Sequence, residues 1–316
     1  MRILMTGATG VIGRHTIPLL LGAGHEVRAV ARTRAARHDL RVAGAEPVSV
    51  NLFDRDEIRA AVDGCQAVLH FATSIPPLRV ATKARSWVAN DRLRDDATNL
   101  LVDAAISSGV ERFVLESMTF FYTDRGEHWV DESSPVDATW RPLRSALAAE
   151  RHLKRFTESG AAGVTLRFAQ LYGPGDVSLE YLDAIRQRRI PLIGHGDNFV
   201  PRVHIADAAT AILASLAVPP GTYNVSDDDP QRARATLEQL VGLLDAPRPR
   251  RLPTWLAKVA GGSAVSTLTR SQRVSNQRLR SASAWTPIHG SSADGWPEVV
   301  QDANTTQFAP TGQAGR

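Results

Sequence analysis

Residues Thr6–Gly13 read TGATGVIG, with glycines at positions 7, 10 and 13. A loop of this kind can cradle a phosphate. Gly7 permits a tight turn, Gly10 lets the backbone approach a pyrophosphate, and Gly13 lets a following helix pack closely on a strand. The helix start adds unpaired N–H groups and a positive dipole. Downstream, VRAVARTR places Arg32 at the end of an apolar run, with Arg34 and Arg37 close behind. Sites for NAD commonly carry an acidic residue there for the ribose 2′-hydroxyl, whereas a guanidinium suits a 2′-phosphate. These residues point to NADP(H), with Arg32 as main phosphate ligand and NAD(H) as the less favoured cofactor. The competing reading is a set of solvated loop arginines.

A second group of residues could move protons. FVLESMTFFYTDRG, Phe113–Gly126, carries Glu116, Ser117, Thr119, Tyr122 and Asp124, with His128 beyond. Glu116 is unusual at the end of an apolar strand; it is either an acid/base group or the partner of an arginine. Ser117 and Thr119 offer hydroxyls. Tyr122 can donate a proton, but without a cationic partner its pKa stays near ~10, which suits an acid and not a base. Packing explains Tyr122 equally well. His70 ends another apolar run and reads as a packed residue. The single cysteine, Cys65, excludes a disulfide framework and a cysteine-based zinc site. No set of His, Asp or Glu has metal-ligand spacing along the chain.

The elements that must hold these residues alternate. Strand candidates are Ile3–Met5, Val27–Ala31, Val48–Val50, Ala67–Ala72, Phe113–Leu115 and Val164–Phe168. Helical patterns lie between them at 12–21, 56–62, 98–107 and 145–157. Such alternation predicts an α/β fold, a Rossmann-type doubly wound parallel sheet with helices on both faces. A helix over 205–216 and a strand at 222–225 are expected to rejoin it. The expected organisation is a dinucleotide-binding domain over 1–172, with 201–226 returning to it. A small C-terminal substrate-binding subdomain then takes 173–200 and 227–304, and 305–316 form a flexible polar tail.

The glycine loop, LHFA at Leu69–Ala72, ATNLLVDAA at Ala97–Ala105, VTLRFAQLYGPG at Val164–Gly175 and VPRVHIADAATAI at Val200–Ile212 together resemble the short-chain dehydrogenase/reductase superfamily. The match is to its extended, epimerase/dehydratase-like branch, and GTYNVSDD at Gly221–Asp228 fits it too. The resemblance implies cofactor contacts from Gly7, Thr9, Gly10, Val11, Ile12 and Gly13, from Arg32 and Arg37, and from Phe71, Ala72 and Thr73. It also implies structural roles for Glu150 and His204. Most of the family works with a Tyr-x-x-x-Lys pair on a helix, in which the lysine lowers the tyrosine pKa. Four residues after Tyr122, Tyr172, Tyr181 and Tyr223 stand Gly126, Asp176, Ile185 and Asp227. Aligned on RPLRSALAAE, Pro142 and Ala146 occupy the places of the pair, and Met118 that of the family's strand-end Ser or Thr. Ser117 or Thr119 could take over the latter role.

Composition narrows the class. The 316 residues are 43% hydrophobic and 22% charged, as in a globular protein that buries its own core. Net charge is +4, only three of the 37 basic residues are lysine, and no basic block marks a nucleic-acid partner. No segment has the ~18 uninterrupted apolar residues of a membrane span and no signal-peptide core is visible, so the cytoplasm is the expected location. A small-molecule substrate is expected, and a homodimer is the assembly left open. Trp255, Trp285 and Trp296 suit an aromatic substrate cap or core packing.

The leading expectation is an NADP(H)-dependent reductase of atypical extended type acting on a small organic substrate. An activated C=C or C=N bond would depend least on the missing pair. The alternatives are a lyase, isomerase, epimerase or cyclase on the same fold, and a non-enzymatic NADP(H) sensor.

Overall fold

The computed structural model describes residues 1–308. Seven parallel strands form the central sheet: β1 Arg2–Thr6, β2 Glu26–Val30, β3 Glu46–Val48, β4 Ala67–His70, β5 Arg112–Met118, β7 Ala162–Phe168 and β12 Gly221–Val225. Their order is β12-β7-β5-β4-β1-β2-β3. Four two-stranded ribbons complete the strands. They pair β6 Trp129–Val130 with β15 Arg273–Val274 and β8 Gln170–Tyr172 with β11 Arg202–His204. The others pair β9 Leu192–Ile193 with β14 Arg251–Leu252 and β10 Phe199–Val200 with β13 Gln231–Arg232.

The central strands are buried on both faces, which explains their continuous apolar runs. One face packs on α1 (Val11–Gly22) and α8 (Ile205–Ala214), joining Ile3, Met5, Ile17, Leu20, Val203 and Ile212. The other packs on α3 (Arg55–Val62), α5 (Thr98–Ser107) and α6 (Arg141–Glu158). Leu143, Ala146, Ala149, Leu153 and Phe156 recur at helical spacing along α6 and form its buried stripe. A separate core joins α7 (Asp176–Arg186), α9 (Ala233–Leu243) and α12 (Ser292–Phe308) around Leu182, Leu240, Trp296 and Val300. No helix among the described residues is long and apolar enough to cross a membrane.

Several details depart from the sequence reading. The third strand lies at Glu46–Val48, and the arginine-rich stretch after β2 folds into α2 (Arg34–Val42). The Thr33 side chain caps it, accepting from the Ala36 N–H at 3.1 Å. Helix α6 starts at Arg141, four residues early. Helix α12 runs to Phe308, so the first residues of the expected tail are helical, and 309–316 lie outside the described residues.

Strand order reverses between β1 and β4, which opens a crevice at their carboxyl ends. The chain crosses it at Gly7, where φ is +72° and a Cβ would lie 2.2 Å from the Phe71 carbonyl oxygen. A Cβ on Gly13 would lie 2.4 Å from the Gly7 and Ala8 oxygens. Gly13→Ala should therefore cost about 1–3 kcal/mol in urea unfolding. Gly22→Ala, in the same helix with nothing within 4 Å, should be neutral or gain up to about 1 kcal/mol. Equal effects of the two would show that helix propensity, and not close packing, sets the requirement.

Candidate active site

The crevice carries the phosphate loop. Helix α1 begins at Val11 with Gly10 as its N-cap and no capping side chain. The Gly10 N–H turns back to the Gly7 oxygen at 2.9 Å. The N–H groups of Val11, Ile12 and Gly13 precede the first intrahelical bond and point out of the helix start. Gly10 and Thr9 are exposed. A Cβ on Gly10 would meet only the Gly7 oxygen, at 3.1 Å, so the space above the loop is open. Across the crevice Phe71 is buried and Ala72 and Thr73 half-buried. Arg32 follows β2, and the Arg37 guanidinium donates to the Arg32 carbonyl at 3.3 Å. The Arg32 and Arg34 side chains are exposed and have no partner among the described residues. The donors, the open loop and the free guanidinium fit a dinucleotide.

At the end of β5 the expected proton carriers are engaged elsewhere. The Arg94 Nη2 donates to both oxygens of Glu116 at 2.8 Å. Arg94 lies in a π-turn, Leu93–Ala97, that precedes α5. Burial pushes the Glu116 carboxyl up while Arg94 opposes the shift. Of the two readings of Glu116, the structure takes the ion pair. The buried Ser117 hydroxyl donates to Glu150 at 2.6 Å. Arg167 holds the same carboxylate through two bonds, Nη2–Oε2 at 2.7 Å and Nε–Oε1 at 2.9 Å. Its Nη1 donates to the Tyr122 hydroxyl at 2.7 Å, and that hydroxyl donates to the Asn224 Oδ1 at 2.8 Å.

Tyr122 has no exposed surface. Burial pushes its phenol up to about 12, against the pull of Arg167. So enclosed, Tyr122 braces β5, β7 and β12, and of its two readings, proton donor or packing residue, the burial favours packing. Thr119 differs from the other three. Its hydroxyl is buried and has no hydrogen-bond partner. Asp124 and His128 are exposed, and the Asp124 carboxylate accepts from the N–H groups of Gly126 and Ser271. His70 is a packed residue: Nδ1 lies 2.6 Å from the Thr6 hydroxyl and Nε2 3.3 Å from the Leu93 oxygen. Burial lowers its pKa to about 4.

The face of α6 nearest this strand end is apolar. Leu143 and Ala146 pack with Trp87, Phe121, Trp140 and Ala264, and partly buried Met118 adjoins them. Trp87 and Trp140 meet edge to face at 5.2 Å. Ala264 comes from α10 (Thr254–Leu268), which bends at Gly262. The expected C-terminal cap tryptophans separate: Trp285 and Trp296 are core residues, and Trp255 is exposed. Sequence reasoning missed Arg94, Arg167, Asn224, Trp87 and Trp140. A readable signal existed for Arg167 and Asn224, since each interrupts an apolar strand. Arg94 had none, because a π-turn shifts helical phase by one residue.

Residues 3–226 match the NAD dependent epimerase/dehydratase family. A 3-diazoavenalumate denitrifying reductase of a Streptomyces species is 34% identical over 307 residues, covering 93% of this chain and 99% of that one. A 2-alkyl-3-oxoalkanoate reductase of Stenotrophomonas maltophilia is 30% identical over 266 residues, covering 78% and 77% respectively. In fold, the chain is similar to a UDP-glucose 4-epimerase of Thermus thermophilus in complex with NAD. The TM-score is 0.77 at 22% identity, across 96% of this chain and 99% of that one.

Tyr122→Phe would leave the Asn224 Oδ1 without its donor and would take from Arg167 Nη1 its short bond to the phenol, while the bonds to Glu150 remain. It should lower unfolding stability by about 1–3 kcal/mol and change turnover less than about tenfold, below the ~10²-fold at which a general-acid contribution begins. A far larger loss of turnover at unchanged stability would restore Tyr122 as the acid.

Proposed function

The chain belongs to the NAD dependent epimerase/dehydratase family, and we propose that it is an NADPH-dependent reductase whose substrate needs a hydride but no protein acid. The observation that carries this reading is the apolar face of α6, with Ala146 packed among Trp87, Phe121 and Trp140. Reduction of a ketone makes an alkoxide, and an alkoxide needs a proton from a positioned acid. A diazo-type electrophile does not. The hydride forms a C–H bond, the C–N bond breaks with its electron pair leaving in dinitrogen, and NADPH becomes NADP⁺. The Streptomyces relative is named for a reduction of a diazo compound with loss of nitrogen, and we extend that substrate class to this chain.

When bound, the nicotinamide supplies the hydride. The residues of this chain bind, orient and exclude water. Gly7–Gly13 and the free N–H groups of α1 would hold the pyrophosphate, with Phe71, Ala72 and Thr73 along the opposite wall. Arg32, Arg34 and Arg37 stand at the start of α2, whose first turn contains no acidic residue. Three cations at the positive end of a helix dipole repel it and are relieved by an anion, as a 2′-phosphate would be. The unengaged Thr119 hydroxyl at the end of β5 is buried, as Tyr122 is, and would have to be uncovered before it could hold a polar group of the substrate. Trp87 and Trp140 would face an aryl ring.

Calorimetric titration should show NADPH binding more tightly than NADH, and Arg32→Ala should weaken NADPH by about tenfold while leaving NADH unchanged, the worth of one charge-assisted contact. Equal affinity for the two nucleotides would return the three arginines to the solvated loop.

With 4-deuterated NADPH and an aryl diazo acid, the expected products are dinitrogen and an arene carrying deuterium at the former C–N carbon. Faster oxidation of NADPH by a 3-oxo acid than by the diazo acid would overturn the substrate class.

A further inference from the structure

Apart from the strand end just described, three side chains distant in sequence come together. His204 ends β11 and caps α8, His289 lies in the loop before α12, and Glu298 stands on α12. One ligand atom from each lies within 4.8 Å of the other two. We infer that His204, His289 and Glu298 bind one divalent cation of zinc type, which clips α12 to the start of α8.

The two histidines are prepared differently. His289 Nδ1 lies 2.9 Å from the Asp207 carboxylate, which also accepts the N–H groups of Ile288 at 2.7 Å and His289 at 3.0 Å. Asp207 is fully buried, so it fixes the ring and puts the proton on Nδ1. The lone pair of His289 is then on Nε2, the carboxylate–histidine arrangement that supports metal ligands. His289 Nε2 is 3.5 Å from the Glu298 carboxylate. Two ligands about 2.1 Å from a tetrahedral ion lie about 3.4 Å apart, so this edge is already at length.

His204 supplies the unexplained group. It is 3% exposed, and its Nε2 is buried with no hydrogen-bond partner. Its ring packs on that of His289, with centroids 3.7 Å apart. Its Nδ1 accepts the Ala206 N–H at a long 3.3 Å. Ligation through Nε2 needs the proton on Nδ1 and gives up that one contact for a metal–nitrogen bond. Glu298 is largely exposed, so its side chain is free to close on the ion.

Two imidazoles and one carboxylate favour a borderline cation over magnesium or calcium, which prefer all-oxygen sites. The sequence reading found no metal-ligand spacing because 204, 289 and 298 meet only when α12 docks. This inference is independent of the proposed reductase activity, since no step of hydride transfer passes through the cluster.

The test uses tag-free full-length protein stripped with chelator. Titrated with zinc, it should bind one equivalent with micromolar affinity or tighter and unfold at a higher temperature, reversed by chelator. Cobalt should give the visible bands of a four-coordinate ion. Glu298→Gln, at an exposed position, should fold normally and weaken zinc by about tenfold or more, and His289→Ala should abolish it. NADPH affinity, unchanged in both variants, serves as the control for folding. Absence of stoichiometric zinc binding, or binding that neither variant weakens, would overturn the site.

Discussion

The guanidinium of Arg167 holds the carboxyl end of the sheet together. It is 8% exposed and spends its donors on Glu150 of α6 and Tyr122 beyond β5. It also lies over the rings of Phe121 and Tyr122, at 4.7 and 5.2 Å. Through Tyr122 the network reaches Asn224 on β12, whose N–H donates to Glu132 and whose Nδ2 donates to the Ser275 oxygen. One buried charge thus ties three strands, one helix and the C-terminal segment. Removing either partner of such a pair strands the other charge in the core, so the network is kept or lost as a unit.

That network also decides what the strand end can do chemically. Ser117 donates to Glu150, Arg167 holds both Glu150 and the Tyr122 hydroxyl, and Tyr122 donates on to Asn224. Glu116 is used by Arg94. The remaining wall is aromatic and aliphatic. That packing is buried, and two polar atoms beside it have no partner, the Thr119 hydroxyl and the Trp140 Nε1.

The cofactor end obeys the opposite logic. There the useful groups are backbone N–H donors and exposed arginines left without partners. Close contact of Gly7 with Phe71 fixes the loop, and open space at Gly10 leaves room for a ligand. Rigid backbone below and unpaired charge above suit an anion without a buried ion pair.

The sheet strands, the glycine loop between β1 and α1 and the exposed position of Arg32 after β2 were legible in the sequence, because each depends on local spacing. Apolar runs buried on both faces, glycines where a Cβ would strike a carbonyl, and a break in strand pattern at Arg32 are one-dimensional signals. The missing Tyr–Lys pair is likewise a matter of counting. The fates of Glu116 and Tyr122 were not legible. Each had two readings, and the choice was made by Arg94 and Arg167, which approach from elements 22 and 45 residues away in the chain. The gathering of His204, His289 and Glu298 is of the same kind. Sequence determines where a side chain can begin. Which partner neutralises a buried charge is decided by desolvation across the assembled fold, and only the tertiary structure contains that term.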